Sequence, residues 1–120
     1  MEIVAAKQED AEQIAAIVSK ANEDVAKLFG IDKQNNPKHP SFCTKDWVLA
    51  DFNRGAEYFL HQNANVKKGC VAFEQPDPGT AYLNRLSVLP EFRHHGIGAA
   101  LVKHIVAYSR SKNIQINVKT

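Results

Sequence analysis

The stretch Arg93-His94-His95-Gly96-Ile97-Gly98-Ala99 holds the residue types best able to do chemistry in this 120-residue chain. A strand-like run ends at Val88, Pro90 stops its pairing, and a helical pattern begins near Gly96. Amides at a helix start have no intrahelical acceptor, and the helix dipole adds positive potential there. Gly96 and Gly98 carry no Cβ to hold an anion away from the main chain. The pattern predicts a phosphate or pyrophosphate site, with a purely structural helix start as the plain alternative. A Rossmann fingerprint would need Gly or Ala at the sixth place counted from Gly96, where Leu101 stands. A Walker loop would need Gly-Lys-Ser/Thr, which this sequence lacks.

Other chemistries find less support. Cys43 and Cys70 lie far apart and share no metal-ligand or redox spacing, so they read as reduced, partly buried thiols and no metal is expected. The formal net charge of +2 is too mild to argue for nucleic acid. No apolar run approaches the roughly 18 residues of a membrane span. The N-terminal Met1-Glu2-Ile3-Val4 is not a secretory leader, and a soluble cytoplasmic protein is expected.

The elements that must position the loop can be read from periodicity. Glu2 to Ala5 is a short first strand. From Gln8, the residues Ile14, Ile17, Val18, Ala21, Val25 and Leu28 recur at helical spacing, and Gly30 supplies the stop. Asp32 to Phe42, with Pro37 and Pro40, is a loop. Thr44 caps a second helix carrying Trp47, Val48 and Phe52, closed near Gly55. Three strand-like runs follow, Glu57 to His61, Lys68 to Glu74 and Thr80 to Val88. Asn63-Ala64-Asn65 and Pro76-Asp77-Pro78-Gly79 are the turns between them, short enough for an antiparallel meander. A helix from Gly96 to Ser111 places Ile97, Leu101, Ile105 and Tyr108 on one face, and Ile114 to Val118 alternates as a last strand. The expectation is one domain over residues 1–120, of α/β (α+β) class and order β-α-α-β-β-β-α-β. Its sheet is mixed and mostly antiparallel, with helices on both faces.

With these elements in place, Val88-Leu89-Pro90-Glu91-Phe92-Arg93-His94-His95-Gly96-Ile97-Gly98-Ala99-Ala100-Leu101 is similar to the coenzyme A signature of the GCN5-related N-acetyltransferases. That family's loop reads Gln/Arg-x-x-Gly-x-Gly/Ala after a strand often ending Val-x-Pro. Arg93, Gly96 and Gly98 match it, with Val88 and Pro90 in register. The close match spans about Ala81 to Ser111; elsewhere only the order of elements agrees. The resemblance implies an acyl-CoA N-acyltransferase-like fold and acetyl-CoA as co-substrate. It implies that the amides from about His94 through His95, Gly96, Ile97 and Gly98 to Ala99 hold the pyrophosphate, with Arg93 also among the cofactor-binding residues. The main chain near Leu86 and Val88 would pair with the pantetheine arm, and the Leu86 amide would face the thioester carbonyl. Relatives often carry Gly and Arg or Lys where this chain has His94 and His95; the two imidazoles can titrate beside a phosphate or simply stand exposed.

The same resemblance implies transfer of acetyl to a primary amine by direct attack. The acceptor, a small molecule or a peptide, is not readable. An amine of pKa about 10.4 is neutral in only roughly one molecule in a few thousand at pH 7, so a base usually removes its proton. Several relatives carry Glu at the place of Tyr82, and a tyrosine is a poor base at neutral pH. Tyr82 is the catalytic candidate beside the Leu86 amide, with Glu57, His61 and Glu74 as substitutes. The family fold continues past the strand that ends near Val118, whereas this chain ends at Lys119-Thr120. The expectation is a C-terminally incomplete member that dimerises to cover its open edge. The alternative is a coenzyme A-binding module without turnover.

Overall fold

The computed structural model describes residues 2–114 and 116–118. Its elements are β1 (Glu2–Ala5), α1 (Ala11–Leu28), α2 (Lys45–Asn53), β2 (Glu57–Asn63), β3 (Val66–Asp77), β4 (Thr80–Val88), α3 (Ile97–Ser111) and β5 (Ile116–Val118), in the expected order. The sheet runs β1-β2-β3-β4-β5, antiparallel from β1 to β4 and parallel between β4 and β5. Gln115, inside the predicted last strand, lies outside the described residues, as do Lys119 and Thr120.

The two faces follow from strand alternation. Tyr58 and Leu60 of β2 and Cys70 and Ala72 of β3 point to one side, where α1 and α2 cover them with Ile14, Val18 and Val48. Phe59, Val71, Phe73, Ala81 and Leu83 point to the other, against Ile97, Leu101 and Ile105 of α3. Each fully buried aliphatic chain here contributes about 2 kcal/mol over exposure, so the helices are held mainly by these apolar stripes.

The expected stops hold. Thr44 Oγ1 accepts from the Trp47 amide at 3.4 Å, and Gly30 ends α1 at φ +62°. Three details differ from the periodicity. The chain enters α1 through a 3₁₀ turn, Gln8–Asp10, because the Asp10 carboxylate accepts from the Lys7 amide at 2.8 Å. In the last turns of α1, Val25 and Leu28 are exposed, and Ala26 is buried instead. Finally, β3 extends through Asp77, with its register interrupted after Glu74, so the second hairpin turns at Pro78-Gly79.

Gly69 sets how closely α3 approaches the sheet. A Cβ there would stand 2.8 Å from the Ser87 carbonyl oxygen, 3.2 Å from Leu101 Cδ1 and 3.3 Å from Ile97 Cγ2. The first turns of α3 therefore lie directly on β3, beside the end of β4.

Candidate functional site

The loop and the end of β4 come together at the start of α3. A 3₁₀ turn at Pro90–Phe92 leads out of the strand, and the Arg93 amide is taken up by the Pro90 carbonyl at 3.3 Å. His94 and Gly96 are both left-handed, at φ +67° and +77°. The first α3 bond outside the helix interior runs from the Ala100 amide to the Gly96 carbonyl at 3.0 Å. The amides just before Ala100 are the helix's first-turn donors, with no acceptor one turn back. Nothing lies within 4 Å of where a Gly96 Cβ would be, whereas a Gly98 Cβ would make ordinary contact with Val88 Cγ2 at 3.8 Å. Gly96 is thus required by backbone conformation and opens space, while position 98 has room for alanine. His94, His95 and Ala99 are exposed; Ile97 is buried against the sheet.

Arg93 points elsewhere. Its guanidinium donates to Asp24 at 2.7 Å and to the Ala21 carbonyl at 2.7 Å, both on α1. Its side chain ties the loop to α1, and its amide is engaged within the turn.

Among the described residues, the strand leading to the loop is open on one side over its second half. Among the described residues β5 pairs with β4 only at Ala81, Tyr82 and Leu83. From Asn84 onward no described strand lies on that edge. Opposite β3, the register passes from Cys70↔Ser87 to Ala72↔Asn84, which leaves Arg85 and Leu86 facing Val71 alone. This is a β-bulge, and Arg85 sits in it at φ +57°. Leu86 is 42% exposed, unusual for a leucine inside a strand. Val88 is half-buried against α3. A strand edge with no partner among the described residues, running into a helix start, fits a ligand with an amide-bearing arm and a diphosphate.

On the α2 side of the same strand lies a polar cluster not foreseen from sequence. Asp51 is 2% exposed. It accepts from the Tyr58 hydroxyl at 2.5 Å, from Arg54 at 2.6 Å and from Arg85 Nε at 3.1 Å. Burial pushes the Asp51 carboxyl up, but the bonds from Tyr58, Arg85 and Arg54 outweigh it and hold the group below the usual carboxylate range. Burial, then the bond to Asp51, raises the Tyr58 phenol far above its ordinary value. Glu74 accepts from Arg54 at 2.7 Å and from Asn84 Nδ2 at 3.1 Å. The Arg85 guanidinium also lies over the Trp47 ring, 5.7 Å from its centroid. Only the mid-helix place of Asp51 hinted at this cluster, since a carboxylate near the apolar Val48 must find partners.

Tyr82 and Glu74 face each other across β4 and β3. With Arg54, Ala56, Gln75 and Pro76 they line a cleft of about 470 Å³. The other two substitutes lie elsewhere. Glu57 accepts from the Tyr108 hydroxyl at 2.5 Å, away from this cleft. His61 is buried, and its Nδ1 has no hydrogen-bond partner among the described residues. Burial and nearby Lys68 hold its pKa below the ordinary histidine value. Both thiols are buried and free, as expected. Burial raises Cys43 to about 11 and Cys70 to about 12, so neither is a nucleophile near neutrality. Among the described residues no helix is long and apolar enough to cross a membrane.

A sequence-family model described as the acetyltransferase (GNAT) family matches residues 22–120. No curated protein matches the chain. Solved structures do. A GCN5-related N-acetyltransferase from Ralstonia eutropha JMP134 is 18% identical with a TM-score of 0.72, over 99% of this chain and 82% of that one. The PaiA N-acetyltransferase from Thermoplasma acidophilum, solved in complex with coenzyme A, is 17% identical with a TM-score of 0.75, over 97% and 79% of the two chains. A GNAT family acetyltransferase from Brucella melitensis, solved in complex with acetyl-CoA, is 22% identical with a TM-score of 0.70, over 92% and 68%. At these identities the likeness is one of fold.

Proposed function

Because the chain belongs to the acetyltransferase (GNAT) family, whose members use acetyl-CoA as co-substrate, we propose that it moves acetyl from acetyl-CoA to a primary amine by direct attack. The observation that supports this reading is that, among the described residues, β4 has no strand partner on its β5 side from Asn84 to Val88, where it leads into the helix-start amides. In it, the amides of His94, His95, Gly96, Ile97, Gly98 and Ala99 hold the diphosphate. Arg93 contributes by fixing the loop on α1. The main chain at Leu86 and Val88 pairs with the pantetheine arm, as an added strand would.

Acetyl-CoA supplies the activated thioester. The amine nitrogen bonds to the carbonyl carbon, the carbon–sulfur bond breaks with its electrons left on sulfur, and the proton the amine loses passes to solvent water, from which the thiolate is neutralised as the free thiol. Charge builds on the carbonyl oxygen, where the Leu86 amide donates; one such preformed donor is worth about 3 kcal/mol in acyl transfer. Tyr82 lines the acceptor side. A phenol does not compete for the amine's proton at neutral pH, so it orients the acceptor, and Glu74 across the strands is the carboxylate within the same cleft.

Calorimetry with acetyl-CoA, together with thiol release across a panel of primary amines, tests this. Binding with amine-dependent thiol release is expected. A second reading, a coenzyme A-binding module without turnover, is favoured by one observation: both Glu74 oxygens are already taken, by Arg54 and Asn84. Binding with no thiol release for any amine would select it. A homodimer is proposed on the edge position of β5 in the described sheet; light scattering that finds only monomer at high concentration would refute it.

A further inference from the structure

The β4 bulge is held from α2 by a closed ring of side chains. Asp51 takes Arg85 directly at 3.1 Å. It also takes Arg54 at 2.6 Å, Arg54 reaches Glu74 at 2.7 Å, and Glu74 takes Asn84 at 3.1 Å. Asn84 Oδ1 then accepts from the Arg85 amide at 2.9 Å, which closes the ring on the bulge itself. The Arg85 carbonyl is fixed as well, by Ser87 Oγ at 3.1 Å. A non-glycine residue in the left-handed region costs about 1 to 3 kcal/mol and persists only where its surroundings over-determine it. A buried ion pair, in turn, is seldom more stabilising than apolar packing of the same volume. The ring is therefore poorly explained as a stability device. It is well placed to fix a backbone conformation that the strand would otherwise abandon.

We infer that Asp51 is a positioning residue, which holds Arg85 left-handed and so aims the Leu86 amide out of the sheet toward the thioester. This rests on the acetyltransferase reading of Leu86. Relaxing the bulge would draw Arg85 and Leu86 back toward regular pairing with β3, which turns the Leu86 N–H away from the open edge. The diphosphate loop, anchored separately on α1 by Arg93, would be left in place.

Two variants of the full chain, Asp51→Asn and Arg85→Gln, test the assignment, with Asp46→Asn in the exposed first turn of α2 as control. Nuclear magnetic resonance of the ligand-free, ¹⁵N-labelled protein reads the bulge directly. In both variants the Leu86 and Ser87 amide signals shift and the Leu86 amide, drawn back toward pairing with β3, exchanges more slowly, while the Phe59 and Leu60 amides keep their protection. With acetyl-CoA and an accepted amine, kcat per folded molecule falls by about tenfold to a hundredfold, the range for a slightly misplaced donor, and Kd for coenzyme A changes less than about threefold. Asp51→Asn can lose folded protein; Arg85→Gln leaves Asp51 its bonds to Tyr58 and Arg54 and keeps the test decisive. Leu86 and Ser87 signals unchanged in a folded variant, or activity that falls only with the folded fraction, overturns the inference. Failure of the wild-type chain to bind acetyl-CoA sinks the acetyltransferase reading instead, and the ligand-free amide signals still decide whether Asp51 holds the bulge.

Discussion

Arg93 reaches across 69 residues of sequence to hold Asp24 at 2.7 Å, and in doing so docks the glycine loop on α1. Asp24 is 58% exposed on its side chain, so solvent and salt screen that pair and it contributes little. The partner that counts is the Ala21 carbonyl, bonded to the same guanidinium. A charged donor on a part-buried carbonyl contributes about 1.5 kcal/mol, near tenfold in a binding constant. Arg93→Ala is expected to weaken coenzyme A binding by roughly tenfold through a loosened loop. Asp24→Asn should change it less than about twofold. Calorimetry at two salt concentrations checks both; a large loss in Asp24→Asn would reassign the weight to the ion pair.

That pairing also marks where sequence reading stops. The order of elements and the loop were legible because each depends on local signals: the 3.6-residue recurrence of Ile97, Leu101 and Ile105, the cap at Thr44, and the glycine spacing after Pro90. Whether Arg93 faces a phosphate or an aspartate depends on how α1 lies over the loop, and no local pattern states that. The bulge at Arg85 is similarly hidden, since it exists only as a mismatch between β3 and β4. Val25 and Leu28 carry the right period for the core, yet nothing in the period says where the sheet beneath a helix ends.

His94 and Gly96 should respond oppositely to substitution, because both occupy left-handed backbone. An L-residue pays roughly 1 to 2 kcal/mol there, and histidine is among the better tolerated. Glycine removes that strain at an entropic cost of about 0.5 to 1 kcal/mol. His94→Gly is expected to raise stability by no more than about 1 kcal/mol and to leave coenzyme A affinity nearly intact. Gly96→Ala should lower stability by about 1 kcal/mol and weaken binding. Thermal melts with and without coenzyme A give both signs, and a stabilised Gly96→Ala protein would contradict the assigned conformation.

Gly69 tests the seat of α3. A methyl group placed 2.8 Å from the Ser87 carbonyl must move backbone, because the contact is not with a flexible chain end. Overpacking of this kind costs about 1 to 3 kcal/mol. The displaced groups are the end of β4 and the first turns of α3, which bear the proposed site. Gly69→Ala should therefore lower the urea midpoint and also weaken coenzyme A binding in the protein that remains folded. A stability loss with unchanged affinity would mean that the strain relaxes away from the loop.

Acid should weaken the fold in two stages. His61 and His104 are both held below the ordinary histidine pKa, chiefly by burial. Each has a ring nitrogen, Nδ1 of His61 and Nε2 of His104, without a hydrogen-bond partner among the described residues. Between the folded value and the unfolded value near 6.5, the unfolded chain binds more protons, so stability rises with pH across that window. The stabilisation is complete above about 6.5 and drains away as pH falls through the lowered folded values. Asp51, also depressed, adds a second loss beginning below about 4, where the unfolded carboxyl starts to take up protons. Urea unfolding as a function of pH should show the first decline setting in as pH falls below about 6.5. Replacing His61 by Gln and His104 by Phe should flatten that decline and leave the lower one unchanged. A first decline of undiminished size in the double variant would place the titrating groups elsewhere in the chain.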